Sequence, residues 1–105
     1  MPRDKTLTLN APTEQLTELI AVLGRYAEAA WPPGGSECAQ ASRDALMTTA
    51  EAMMKQLADR PEQVEFSRRQ RATFRVALEY HLQLPEYQDR HDQYQNLLNQ
   101  LSTSR

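Results

Sequence analysis

The chain has 105 residues, with 12 basic and 14 acidic side chains, a net charge of −2 and 40% hydrophobic residues. That length predicts one domain, and the near-neutral charge argues against general attraction to nucleic acid or to an anionic membrane. A mean hydropathy of −0.71 is lean without being that of a disordered chain, and a lean domain of this size often gains stability by self-association.

A single cysteine, Cys38, rules out an intrachain disulfide and fits a reducing compartment. The opening MPRDKTLTLN has no apolar segment like that of a signal peptide, and no apolar run is long enough for a bilayer. The expectation is a soluble, cytoplasmic protein. Proline and glycine at 2, 12, 24, 32–35, 61 and 85 leave four segments long enough for helices. These predict an all-α fold: a compact bundle of about four helices with a short extended N-terminal arm over 1–10.

Within the arm, Leu7 and Leu9 alternate with Thr6, Thr8 and Asn10 and share one face. Asn10 and Pro12 mark a turn into the first helix, over 12–30. Its apolar stripe is Leu16, Leu19, Ile20, Leu23, Tyr26, Ala27 and Ala30. Gly24 weakens the middle and suggests a close crossing with another helix. The link AAWPPGGSE stops that helix, Trp31 is expected over the ends of two helices, and Ser36 is a good N-cap for the next.

The second helix spans 37–59, with Leu46, Met47, Ala50, Met53, Met54 and Leu57 as its apolar face. Its first half, with Ala39, Ala41 and Ala45, suits close packing. Pro61 then opens a third helix over 61–84, ended by Leu84-Pro85. The fourth runs over 85–101 along the seam Tyr87, His91, Tyr94, Leu98 and Leu101.

The stretch ATFRVALEYHLQL, from Ala72 to Leu84, alternates like a strand. On a helical wheel it forms two apolar ridges, Phe74–Leu78–Leu82 and Val76–Tyr80–Leu84, with Ala77 and His81 between and Arg75, Glu79 and Gln83 as a polar strip. The unbroken length and the Arg75–Glu79 pair favour helix. An apolar arc of roughly 240° is too wide for one neighbour. Either the third helix is the centre of the bundle, or part of it faces another chain. Phe74, Leu78 and Leu82 are assigned to the core. Val76, Tyr80, Leu84, Trp31 and Tyr87 are assigned to a protein-binding surface, in a regulatory protein that forms a homodimer.

Arg68, Arg71 and Arg75 share a face and suit an acidic partner or phosphates. His81 and His91 are ten residues apart, without the spacing of helical metal ligands, and His81 reads as a packed histidine. Cys38 has no histidine beside it in the sequence. Gly34 and Gly35 lack the lysine of a phosphate loop. No metal, no cofactor and no catalysis are expected.

Two resemblances bear on function. With a strand at Thr6–Asn10, a helix, a turn ending in Ser36 and a second helix, the first fifty or so residues resemble a ribbon-helix-helix DNA-binding unit. That resemblance implies pairing of strands from two chains, with Thr6, Thr8 and Asn10 facing DNA. The outward strand residues carry no arginine or lysine, which puts DNA binding second. In size and layout, punctuated at Pro12, Pro32-Pro33, Pro61 and Pro85, the whole chain resembles the small helical anti-activators of bacterial quorum sensing. Those proteins bind a LuxR-type transcription factor and keep it off DNA, so a transcription factor is the partner class implied.

Overall fold

Leu7 and Leu9 alternate with polar residues, and so do Val64 and Phe66 within Gln63-Val64-Glu65-Phe66. In the computed structural model, which describes residues 6–103, these two stretches pair. Strand β1 (Leu7–Asn10) runs antiparallel to β2 (Gln63–Phe66), with Leu7 opposite Phe66 and Leu9 opposite Val64. All four side chains are buried, while Asn10 and Glu65 are exposed. The part of the arm over 1–5 lies outside the described residues.

The molecule is therefore mostly helical but not all-α, and the third helix does not start at 61. It loses its first turns to β2, because Glu62 adopts a left-handed backbone (φ 72°) that no helix continues through. The alternation over 63–66 then meets the matching alternation over 7–10. Gln56 secures the far edge of β2: its side chain accepts from Glu65 N at 2.8 Å and donates to Glu65 O at 3.2 Å, as a neighbouring strand would.

Helices α1 (Thr13–Ala30) and α2 (Glu37–Asp59) lie between the strands in sequence. Leu16, Leu19, Val22, Leu23 and Ala27 are all fully buried, and α1 packs against α2, α3, α4 and β2. It is α1, not the third helix, that occupies the centre. Gly24 serves no close crossing, since a Cβ there would meet nothing within 4 Å. The link after α1 turns at Gly34, whose φ of 89° favours glycine, and Ser36 caps α2 by accepting from Ala39 N at 3.1 Å. Leu46, Ala50, Met53 and Leu57 form the buried face of α2; Met47 is half-buried and Met54 is 47% exposed.

Helix α3 (Arg68–Leu82) opens with a capping box. Ser67 Oγ accepts from Gln70 N at 3.1 Å, and the Gln70 side chain accepts from Ser67 N at 2.8 Å. Residues 72–82 are thus helical despite their alternation. The helix stops two residues early, because Leu84 before Pro85 is extended. A 3-10 helix (Pro85–Arg90) follows, with Tyr87 off helical geometry, and then α4 (His91–Thr103). This kink shifts the seam of the last helix. Tyr94, Leu97, Leu98 and Leu101 are buried, whereas His91 is exposed. Among the described residues no helix is long and apolar enough to cross a membrane.

Candidate functional site

Helices α2 and α3 both lie on α1 and leave a groove between them. Trp31 sits at its head, with Ala45, Leu46 and Thr49 on the α2 side and Arg69, Thr73 and Phe74 on the α3 side. The cavity measures about 330 Å³ and its lining is mostly apolar. A second hollow of about 250 Å³, formed by Tyr26, Ala72 and Val76, shares Trp31 and Thr73 with the first. The two form one furrow divided by the indole. Among the described residues Val76, at 46% exposed, and Met54 are the exposed large apolar side chains.

The local chemistry explains the furrow. Ala45 and Ala72, which line it, are small and exposed, so neither helix closes the space there. Trp31 follows the last residue of α1 and rests edge-on against Tyr26, with ring centroids 5.8 Å apart. Tyr26 in turn meets Tyr80 edge-on at 5.6 Å. Trp31 and Val76 therefore stand together, with Tyr80 one ring away. Leu84 is half-buried in the turn before Pro85.

Tyr87 belongs elsewhere, to a polar hub on the side of α1 that faces α4. Glu18 Oε2 accepts from Tyr94 Oη at 2.5 Å, from Arg25 Nη2 at 2.9 Å and from Arg90 Nη1 at 2.9 Å. Arg25 Nη2 also donates to Tyr94 Oη at 3.2 Å, and the guanidinium lies over the Tyr87 ring at 4.9 Å. Arg25 Nε points at Nε2 of His81, 3.3 Å away, while His81 Nδ1 lies 2.9 Å from Ala77 O. A carbonyl can only accept, so Nδ1 carries the proton and Nε2 accepts from Arg25. One neutral tautomer satisfies both contacts.

Electrostatics follow from this geometry. Burial raises the Glu18 carboxyl, but the hydrogen bonds from Tyr94 and Arg25 and the charges of Arg25 and Arg90 outweigh it, leaving its pKa below the ordinary value. For His81 burial lowers the pKa and dominates, opposed by the Ala77 carbonyl and reinforced by Arg25. Tyr94 is raised by burial and by the neighbouring carboxylate. These contacts tie α1 to α3, to the 3-10 helix and to α4.

Among the arginines assigned to an acidic partner, Arg68 and Arg75 are exposed and Arg71 is half-buried. Arg69, which that assignment omitted, lines the groove. The first turn of α3 contains Arg68 and Arg69 and no acidic residue. Cys38 is exposed and free. His81 and His91 belong to different environments, and among the described residues no three His, Cys, Asp or Glu side chains could hold a metal ion.

The hub was absent from the sequence reading. Its signal was faint: Glu18, Val22 and Arg25 fall on one stripe of α1, and the middle residue is fully buried. Compared with protein-family models, with curated proteins and with solved structures, the chain shows no match.

Proposed function

We propose that the chain is a non-enzymatic regulatory protein that binds a partner protein along the furrow between α2 and α3, as a cytoplasmic homodimer. The observation that carries this reading is the contiguous apolar surface of Trp31 and Val76, with Tyr26 and Tyr80 behind it. A furrow between two helices with an aromatic divider suits an apolar helix face of a partner. The chemistry at its mouth suits acidic flanks on that partner. Arg68 and Arg69 lie at the positive pole of α3 with no acid in the first turn to offset them. The quorum-sensing resemblance makes a transcription factor the partner class to test first. DNA binding through 6–10 is less supported, because β1 already pairs within its own chain and Thr8 stands opposite Glu65.

The test is affinity capture from the native cell with the wild-type chain and with Val76→Asp. A specific partner should be retained by the wild type and lost at least about tenfold with the variant, whose fold should be unchanged because Val76 is exposed. Equal capture by both would sink this surface as the binding site. Light scattering that shows only monomers at high concentration would remove the homodimer.

A further inference from the structure

His81 is 1% exposed, yet its ring touches four elements. From α1 it meets Arg25 Nε at 3.3 Å, with Glu18 behind. From the 3-10 helix it meets the Tyr87 ring at 5.1 Å and feels the charge of Glu86, with Arg90 reaching it through Glu18. From α4 it meets the Tyr94 ring at 6.0 Å, and on α3 itself the Tyr80 ring at 5.5 Å and the Ala77 carbonyl. Only the neutral ring fits. A second proton would sit on Nε2 and confront the Arg25 N–H, donor against donor and cation against cation, at a ring buried away from the surface.

We propose that His81, Arg25 and Glu18 form an acid-released latch that holds the 3-10 helix and α4 against α1. Relief of the conflict requires Arg25 to swing away. Arg25 then leaves the Tyr87 ring and Tyr94 Oη together, so the 3-10 helix and the last helix each lose a contact with α1. Release bares the buried face of α4, including Leu97 and Leu101. The sign follows from linkage: the folded ring titrates below its ordinary 6.5, so the latched state is fully favoured above that pH and weakens as pH falls through it. Glu18 is held below its ordinary 4.5 and remains charged in this window.

Hydrogen exchange of the wild-type chain at pH 7.5 and 5.0, corrected for intrinsic rates, tests the latch. Protection over 91–103 should fall several-fold, towards a ceiling of about thirtyfold set by an unshifted histidine in the released state. Amides over 46–57 should keep theirs, and in His81→Gln, which cannot titrate, the fall should vanish. Unchanged protection in the wild type, or an undiminished fall in His81→Gln, would overturn the proposal. If that variant does not fold, the ring protons of His81 can be titrated in His91→Asn. A midpoint below the ordinary histidine value that coincides with loosening of α4 supports the latch; a midpoint at or above it, or one separate from the loosening, refutes it.

Discussion

Three donors converge on one oxygen of Glu18, a side chain only 18% exposed. Glu18→Gln keeps the shape but removes the charge that these donors share. It should lower stability by about 1–3 kcal/mol at neutral pH, read as a shift in the urea midpoint, since hydrogen bonds to charged groups are the stronger kind. A change under a few tenths would mean that the hub is solvated and weakly coupled. Such a hub is hard to read in a sequence. Glu18 and Arg25 look like ordinary surface charges until Val22 between them proves buried, and Arg90 and Tyr94 lie some seventy positions away. His81 was legible as a packed histidine because it fell inside the apolar arc of its helix. What packs around it was not, because ring contacts between helices leave no trace in local spacing.

For individual elements, most of the punctuation was legible. Ser36 caps α2 and Pro85 ends the extended turn after α3, both for the local steric reasons that the residue types carry. The start of α3 was the main miss, although the signal was present. Ser67-Arg68-Arg69-Gln70 is a capping box in sequence, directly after the alternating QVEF. Pro61 drew the boundary too early, because proline at a first helical turn is common and a strand of four residues is easily overlooked. Gly24 was over-read in the opposite direction. With open space where its Cβ would be, Gly24→Ala should raise stability by about 0.5–1 kcal/mol through the unfolded chain. Thermal denaturation checks this, and a loss of stability would show that α1 needs the glycine for a contact not visible in its surroundings.

In the whole molecule, the wide apolar arc of α3 suits either a central helix or a face turned towards another chain. The centre instead went to α1, which has buried residues around more of its circumference, while the outer ridge of α3 stays partly open at Val76. The sheet closes the bundle from one end, where Leu7, Leu9, Val64 and Phe66 face the helices and Phe66 meets Phe74 with ring centroids 5.2 Å apart. Its loss should be felt everywhere. Leu9→Ala is expected to cost about 2–5 kcal/mol, with Trp31 fluorescence and helical circular dichroism melting together at the lower midpoint. Separate transitions would mean that the sheet is a local ornament.

The pairing of β1 with β2 also has a consequence during synthesis. The two strands are more than fifty positions apart in the chain, with both long helices between them. At roughly 5–20 residues per second, β1 is made about three to ten seconds before its partner. For that interval Leu7 and Leu9 have no strand to join, and α1 is made before the α3 and α4 that will surround it. The nascent chain therefore carries its most apolar helix uncovered until more than half of the protein has emerged, which makes this early interval, rather than the finished fold, the point at which aggregation or a chaperone would compete.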